Sequence, residues 1–374
     1  MPSHESLLPG RATPEATRRY AARFPQAAKG HFREAAGKLA GSSIGIGTYL
    51  GEPDDATDRR YTEALVAAAE GGINLIDTAI NYRLQRSERS VGSALRALTQ
   101  RGFAREEFVI CTKAGFLTPD TDMPEDINEY FSREYVEPGI MRPEEIAAGC
   151  HCMAPKYLAD QLERSRRNLG LACVDVLYLH NPETQLSEVS REEFRRRIRG
   201  AFAFFESAVA QQKIAAYGIA TWNAFREDNS SRTYLSLDEM VSIAREVAGD
   251  AHHLRFVQLP FNLAMPEALT NANQLVQGKT LAMVQAARPL GINLVASAAL
   301  LQAKLTRQLP PYVADVLGLE NDAQRALQFV RSAPGLTAAL VGMSHPKHVA
   351  ANLSLLTVEP APRDQFLKLF GHAR

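Results

Sequence analysis

The feature that most constrains the fold is a series of eight short apolar runs, rich in Ile, Val and Leu, with helical segments between them. Apolar runs of this length, bounded by turn residues, predict parallel strands that are buried on both faces. The runs are Ser43–Thr48, Ile73–Thr78, Phe108–Lys113, Val174–His180, Ile214–Ala220, Leu254–Leu259, Ile292–Ser297 and Ala338–Gly342. Eight strand and helix repeats are the number in a TIM barrel, so we predict an α/β protein with a (β/α)8 fold.

A doubly wound parallel sheet is the alternative architecture. It predicts a Gly-x-Gly-x-x-Gly turn at the start of a helix. The nearest candidate runs from Gly45 to Gly51, and its glycines have a different spacing. The barrel is also favoured because polar residues suited to chemistry follow several of the runs, and barrel active sites lie at the carboxyl ends of the strands.

Two regions fall outside the regular pattern. Residues 1–40 are polar and rich in Arg and Ala, and we expect them to form an N-terminal extension with a small hairpin or lid, followed by a single barrel domain over residues 41–374. Within that domain, residues 114–156 separate the third strand from its helix by far more than the usual loop of about two to six residues. Such a long loop predicts an active-site insertion, and a surface excursion is the alternative.

The long loop contains acidic residues beside aromatic ones. These residues are Asp120, Asp122, Glu125, Asp126, Glu129, Tyr130, Phe131, Glu134, Tyr135 and Glu137. This composition suits a lid with apolar platforms and an acidic rim. It favours a polyhydroxylated or cationic substrate over a carboxylate.

Charge and hydropathy exclude several classes of partner. The chain has 42 basic and 42 acidic residues, so no net field attracts nucleic acid or an anionic membrane. No apolar run approaches the roughly 20 residues of a membrane helix, and the N-terminus lacks the apolar centre of a secretory signal. We therefore expect a cytoplasmic protein, monomeric or weakly homo-oligomeric, whose partner is a small molecule.

Four polar residues at or just after the ends of three successive strand-like runs suit carbonyl chemistry: Asp77, Tyr82, Lys113 and His180. A phenol with an ordinary pKa of about 10 is a poor acid at neutral pH, but a nearby ammonium stabilises the phenolate and lowers that pKa. Lys113 can act in this way on Tyr82, and Asp77 can keep a buried Lys113 charged. His180 can orient a substrate oxygen or relay a proton.

Together these groups can protonate an oxygen on which negative charge develops, as happens when hydride reaches a carbonyl carbon. A protein has no hydride of its own, so a nicotinamide cofactor is implied. We predict an oxidoreductase that converts an aldehyde or ketone to the alcohol, or the reverse.

The segment from Gly72 to Tyr82, followed by Arg86-Ser87-Glu88 and Gly92, resembles the signature of the aldo-keto reductase superfamily around its catalytic Asp and Tyr. The resemblance runs from about Gly37 to Leu355. It implies that Tyr82 is the general acid, that Lys113 lowers its pKa, that Asp77 holds Lys113 and that His180 orients the carbonyl.

The same resemblance implies a set of cofactor contacts. They are Thr48, Asn181, Thr221, Asn223, Gln258, Ser297, Gly342, Ser344, His348 and Asn352, while Tyr49 and Trp222 are expected to contact the substrate. The family often has an aromatic residue where this chain has Ser297, and Lys and Arg at the 2′-phosphate where it has Gly342 and His348. We expect NADP(H), with NAD(H) not excluded.

The triplet Cys150-His151-Cys152 contains residue types that bind metals. A second pair with zinc-ribbon spacing is missing, so we predict a structural role and no metal site. Two other functions remain open at this point. One is a barrel that binds nicotinamide as a sensor or regulatory subunit without catalysis, and the other is a lyase or epimerase that retains its cofactor.

Overall fold

The computed structural model, which describes residues 7–371, is built around a closed barrel of eight parallel strands. The strands are β1 (Ile44–Gly47), β2 (Leu75–Asp77), β3 (Val109–Ala114), β4 (Val174–His180), β5 (Ile214–Ala220), β6 (Leu254–Pro260), β7 (Asn293–Ser297) and β8 (Leu336–Gly342). Each overlaps one predicted run. Strand β8 pairs with β1, Val341 beside Ile46, and this pairing closes the barrel. The predicted (β/α)8 fold is confirmed.

Helices follow the strands around the outside of the barrel. They are α1 (Asp55–Glu70), α2 (Arg86–Gln100), α3 (Pro155–Leu169), α4 (Arg191–Ala210), α5 (Leu237–Ala248), the single turn α6 (Met283–Ala286), α7 (Asp322–Ser332) and α8 (Pro346–Leu353). Local sequence sets their ends. Asp54 and Ser190 accept hydrogen bonds from the first turns of α1 and α4, and Gly170 ends α3 in the left-handed conformation with φ +68°.

The barrel separates two apolar cores. The larger core lies between strands and helices, and the smaller one fills the barrel interior. The interior core contains Leu75, Val109, Cys111, Val176, Tyr178, Ala220, Phe256, Val295, Ala338 and Leu340. Because this interior is packed, ligands can bind only at the ends of the barrel.

The residues that precede β1 close the N-terminal end of the barrel. A helix (Pro14–Ala21) is followed by an antiparallel hairpin of Phe32–Ala35 and Leu39–Ser42, and Leu39 packs against the interior core. The expected hairpin is present, but it lies at the end opposite the carboxyl ends of the strands, so it is no lid over a site there. Residues 1–6 of the predicted extension lie outside the described residues.

The long loop after β3 forms a small structure of its own. It contains the helix Ile127–Phe131 and a hairpin of Ile146–Ala147 with His151–Cys152. Its Tyr135 is fully buried and packs in a third small apolar cluster against Tyr157 of α3. Tyr135 is therefore not available as a platform over the strand ends, whereas Tyr130 and Phe131 are only partly buried.

The acidic side chains of the loop are also occupied away from the strand ends. Asp120 pairs with Arg89 of α2, and Glu134 lies 3.7 Å from Arg164 of α3. Asp126 caps the loop's own helix. An acidic rim over the barrel mouth is therefore not formed by these residues. Among residues 7–371, no helix is both long and apolar enough to cross a bilayer.

Candidate active site

Strand periodicity brings three of the predicted catalytic residues to one place. Side chains alternate between the two faces of a strand, so a residue two positions after an inward-facing one also faces inward. Asp77 follows Leu75 in this way, Lys113 follows Cys111, and His180 follows Tyr178; those three predecessors all belong to the interior core. The three side chains therefore lie on top of that core, at the carboxyl ends of the neighbouring strands β2, β3 and β4.

Lys113 and Asp77 form a buried ion pair. Lys113 Nζ lies 2.6 Å from Asp77 Oδ2 and donates a second hydrogen bond, 2.8 Å long, to the carbonyl oxygen of Thr78. Burial alone would lower the pKa of Lys113, but Asp77 and Tyr82 outweigh it and raise that pKa above its ordinary value. Lys113 is therefore charged at neutral pH.

The second oxygen of Asp77 is held from the other side of the barrel. Gln258 on β6 donates its side-chain N–H to Asp77 Oδ1 over 2.7 Å. The sequence suggested only a cofactor contact for Gln258, and the structure gives it this further bond. Both carboxylate oxygens of Asp77 are thus satisfied.

Tyr82 lies in the turn between β2 and α2, directly beside the ion pair. Lys113 Nζ is 4.8 Å from the centre of the Tyr82 ring. Burial raises the pKa of Tyr82, and the Lys113 ammonium opposes this rise without cancelling it. The expectation of a net lowered pKa is wrong because desolvation of the phenolate is the larger effect. Tyr82 therefore carries its proton at neutral pH and has a cation beside it.

His180 faces Tyr82 across the mouth, with 6.0 Å between the two ring centres. Burial, together with the charge of Lys113, lowers the pKa of His180 well below its ordinary value, so the imidazole is neutral at neutral pH. Its Nδ1 is buried and has no hydrogen-bond partner in the described part of the chain. Because a neutral imidazole is a much weaker acid than a phenol, Tyr82 is the better proton donor of the two.

These side chains border a cleft of about 890 Å³ at the carboxyl ends of the strands. Its lining includes Tyr82, Asp77 and His180, and eleven of the other predicted site residues. These are Thr48, Tyr49, Asn181, Thr221, Trp222, Gln258, Ser297, Gly342, Ser344, His348 and Asn352. Lys113 is fully buried beneath them. The residues predicted to contact the substrate and those predicted to contact the cofactor therefore line one continuous cleft.

Two predicted cofactor contacts are occupied in other ways. Asn223 is outside the lining, and its side-chain oxygen accepts a hydrogen bond from Arg226. Thr221 lines the cleft, but its hydroxyl donates to the buried Glu183 over 2.6 Å and accepts from the backbone N–H of Ala224. Both residues hold the turn after β5, which carries Trp222.

Sequence reasoning missed other residues of the cleft. Leu50 and Phe116 line its substrate half, and Asn81 contributes a buried side-chain oxygen for which the described residues supply no partner. The loop after β7 lines the opposite half with Ala298, Ala299, Leu300, Gln302, Ala303 and Thr306. That loop has no chemically distinctive side chain that could have marked it. Phe116, three residues after Lys113, and Asn81, next to Tyr82, could have been found from their positions.

The Cys150-His151-Cys152 triplet lies beside this site. His151 is buried, and its ring forms hydrogen bonds with the His180 carbonyl and with Gln185. Within residues 7–371, no three His, Cys, Asp or Glu side chains are grouped so that they could hold a metal ion.

Comparisons with known proteins identify the family. The sequence model of the Aldo/keto reductase family matches residues 43–316, which is more than half of the chain. A D-threo-aldose 1-dehydrogenase of a Pseudomonas species is 30% identical over 179 residues, and the match covers 44% of this chain and 45% of that protein. A Schizosaccharomyces pombe protein named for the beta subunit of voltage-gated potassium channels is 28% identical over 192 residues, covering 50% and 44%. The chain thus spans less than half the length of either relative.

Solved structures show the same fold. An aldo-keto reductase from Klebsiella pneumoniae, determined in complex with NADPH, superposes with a TM-score of 0.60 at 19% identity, and the match covers 90% of this chain and 93% of that one. The barrel, the arrangement of Asp77, Tyr82, Lys113 and His180, and the match over residues 43–316 agree with one another. The chain is a member of the aldo/keto reductase family.

Proposed function

We propose that the chain is an NAD(P)H-dependent oxidoreductase that reduces an aldehyde or ketone to the alcohol, or catalyses the reverse reaction, with Tyr82 as the general acid. One observation carries the proposal. A protonated phenol lies beside a buried ammonium, 4.8 Å from its ring centre, where both meet a large cleft. The pair is arranged to give up a proton at the moment when an oxygen becomes negative.

Each residue of the group has one task in this reaction. A bound nicotinamide cofactor supplies or accepts the hydride. Tyr82 donates its proton to the carbonyl oxygen, and Lys113 stabilises the phenolate that remains. Asp77 keeps Lys113 charged and fixed. The neutral His180 imidazole orients the carbonyl oxygen by a hydrogen bond.

The cleft has features that fit a nicotinamide cofactor. It extends from Tyr82 to Asn352 on α8, and two of its lining residues, Asn81 and His180, each have a buried polar atom without a partner in the described chain. Residues of its other half, Ser297 and Ser344 among them, would hold the cofactor. Their place in the family pattern and the NADPH complex of the Klebsiella protein favour NADP(H).

Cofactor preference can be measured without a substrate. Trp222 is the single tryptophan of the chain, and it lines the cleft with 46% of its surface exposed. Titration with NADPH and with NADH should therefore quench its emission. Tighter binding of NADPH is expected, and equal or tighter binding of NADH would contradict the NADP(H) assignment.

The lining also limits the substrate. Tyr49, Leu50, Phe116 and Trp222 surround the half of the cleft near Tyr82, and no Lys or Arg among residues 7–371 is part of the lining. None of the acidic residues of the long loop is part of the lining, so the basis for a cationic substrate is removed. An uncharged carbonyl compound fits this surface, and a polyhydroxylated one remains compatible with it. The name of the Pseudomonas relative points in the same direction.

The decisive experiment is Tyr82→Phe. General acid catalysis contributes roughly 10²- to 10⁴-fold, so kcat should fall by that factor. Cofactor affinity, read from Trp222 emission, should stay near that of the wild type because the proton is needed only in the chemical step. Tyr178→Phe is the matched control, because Tyr178 is buried in the interior core below the site. A Tyr82→Phe protein that retains wild-type kcat would eliminate the proposal.

A non-catalytic regulatory barrel is the second candidate, and the name of the Schizosaccharomyces pombe relative favours it. The two candidates differ in cofactor turnover. A reductase consumes the reduced cofactor, seen as a loss of absorbance at about 340 nm when a carbonyl is added, whereas a sensor does not. A lyase or epimerase would transform its substrate without net consumption of the cofactor.

A further inference from the structure

The long loop after β3 reaches the active site from behind, through His151. His151 is fully buried, and its Nε2 lies 2.7 Å from the carbonyl oxygen of His180. Its Nδ1 lies 2.8 Å from Gln185 Nε2, and Gln185 Oε1 is 2.5 Å from Arg197 Nη1 on α4. An uninterrupted chain of hydrogen bonds thus joins a guanidinium to the backbone of the predicted catalytic histidine.

The chemistry of arginine fixes the direction of every bond in this chain. A guanidinium can only donate, so the Gln185 atom that faces Arg197 must be the carbonyl oxygen. Gln185 then presents its NH₂ group to His151, where it donates to Nδ1 and, over 3.0 Å, to the His151 carbonyl oxygen. His151 Nδ1 is therefore an acceptor, and its proton lies on Nε2. That proton is donated to the His180 carbonyl.

The contact is tightly enclosed. The Phe116 ring stands edge-on to both imidazoles, 5.3 Å from His151 and 4.9 Å from His180. A side chain at Gly115 would bring a Cβ to 2.8 Å from His151 Nε2 and 3.1 Å from the His180 carbonyl oxygen. The residue that follows the strand, Asn181, is left-handed with φ +45°. The His180 peptide is thus held where the chain leaves β4 and changes direction.

We propose that His151 is a positioning residue, which holds the backbone of His180 so that the His180 imidazole meets the substrate carbonyl in the right orientation. This rests on the proposed function of His180. It assigns to the Cys150-His151-Cys152 hairpin, and to the long insertion that carries it, the task of supporting the active site from outside. The insertion contributes Phe116 and this hydrogen bond to the site. It does not act as the lid that the sequence suggested.

The first test compares His151→Leu with His151→Gln. Leucine cannot donate to the His180 carbonyl, and small misplacement of a catalytic group costs about ten- to a hundredfold in kcat, which is the expected loss. Glutamine is neutral and can donate from its NH₂ group, so it should restore most of the rate. Cofactor affinity, read from Trp222 emission, should be unchanged in both. Cys150→Ala, in the same hairpin but only partly buried, is the control for local disturbance.

The second test changes the tautomer and leaves His151 in place. In Gln185→Glu, the carboxylate beside Arg197 can no longer donate to His151 Nδ1. A neutral His151 then places its proton on Nδ1, and the bond to His180 is lost; only an imidazolium can donate to both neighbours. The charged or titratable groups that act on His151 are Arg197 and His180. We expect kcat of this variant to be close to that of the wild type at acidic pH and to fall as the pH rises. The wild type should not show this decrease.

Several results would overturn the inference. It fails if His151→Leu, folded by circular dichroism, keeps kcat within about twofold of the wild type while Tyr82→Phe is inactive. It fails if His151→Gln is as slow as His151→Leu, or if Gln185→Glu has the pH profile of the wild type. Should His151→Leu not fold, Gln185→Glu decides alone. A wild-type chain that converts no carbonyl would remove the proposed function itself, which is a distinct outcome.

Discussion

Each end of the barrel contains a buried ion pair, and the surroundings of the two pairs differ. At the N-terminal end, Arg105 Nη2 lies 2.7 Å from Asp175 Oδ2, and both side chains are nearly inaccessible. At the carboxyl end, Lys113 lies 2.6 Å from Asp77 and is equally buried. Bond length and burial do not distinguish the two pairs. What distinguishes them is the set of groups around each.

The N-terminal pair is surrounded by backbone. Asp175 also accepts from the N–H groups of Ala12 and Ile110, and Arg105 donates to the carbonyl oxygens of Phe108 and Cys173. Ala12 belongs to the segment that closes this end. The pair therefore fastens that segment to the strands, and neither Arg105 nor Asp175 lines the cleft at the carboxyl end.

The carboxyl-end pair lies against a cavity. Tyr82 is its neighbour on one side, and nearby polar atoms of Asn81 and His180 have no partner within residues 7–371. Arg105 Nε is also buried without a partner within residues 7–371, so unpartnered atoms do not separate the two pairs. The comparison indicates that a buried ion pair serves closure where its other hydrogen-bond partners are backbone groups. It can serve chemistry where one neighbour is an acid that faces a cleft.

The largest expected contrast comes from breaking each pair in the same way. Removing one partner of a buried ion pair costs roughly 3–5 kcal/mol, because the other charge is left uncompensated. Lys113→Met and Arg105→Met should therefore lower the free energy of unfolding by similar amounts, measured by urea denaturation at low temperature. Only Lys113→Met should also lower kcat, by roughly 10²-fold or more, since it removes the cation beside Tyr82.

Paired replacements serve as controls for this experiment. Removing both partners, in Lys113→Met with Asp77→Asn and in Arg105→Met with Asp175→Asn, should recover part of the lost stability. The double variant Lys113→Met with Asp77→Asn should remain inactive. The double variant Arg105→Met with Asp175→Asn should be active. Comparable kcat losses at the two ends would mean that the distinction drawn here between closure and chemistry is wrong.

A smaller effect is expected from the charge of the substrate. Benzaldehyde and 4-carboxybenzaldehyde differ by one carboxylate, and the cleft lining described here offers no Lys or Arg to pair with it. Because an unpaired charge is costly to remove from water, kcat/KM should be at least about tenfold lower for the carboxylate. Leu50→Arg, which places a cation at the substrate half, should narrow this ratio. Preference of the wild type for the anion would contradict the substrate assignment.

The smallest effect concerns pH. The pKa of Tyr82 is raised, so the acid stays protonated until the pH exceeds its ordinary value of about 10. The pKa of His180 is lowered, so its imidazole becomes charged only well below an ordinary value of about 6.5. The kcat for reduction should accordingly vary little between about pH 6 and 9, measured with saturating cofactor. A steep change within that range would assign the proton to another group.

Much of the site could be predicted because its signals are local. A run of apolar residues indicates a strand, the period of two places Asp77, Lys113 and His180 above the interior core, and the order of strands makes them neighbours. None of these steps requires knowledge of a distant part of the chain. The cleft residues Ser344, His348 and Asn352 were placed by their resemblance to a family pattern, and all three line the cleft.

What the sequence could not supply depends on contacts between distant segments. The bond of Gln258 to Asp77 spans the barrel, and the contact of His151 with His180 depends on how a loop of some forty residues folds back, a loop far longer than is usual. The pKa of Tyr82 is the balance of burial against one ammonium, and burial is a sum over all surrounding elements.

The sequence by itself therefore determined the barrel, its strands and the identity of the four groups at its mouth, because strand alternation is a property of neighbouring residues. Only the tertiary structure decided that the tyrosine is protonated at rest, that the long loop contacts the His180 carbonyl through His151 and that the acidic side chains lie away from the cleft. Packing and desolvation are set by residues far apart in the chain, and no local pattern contains them.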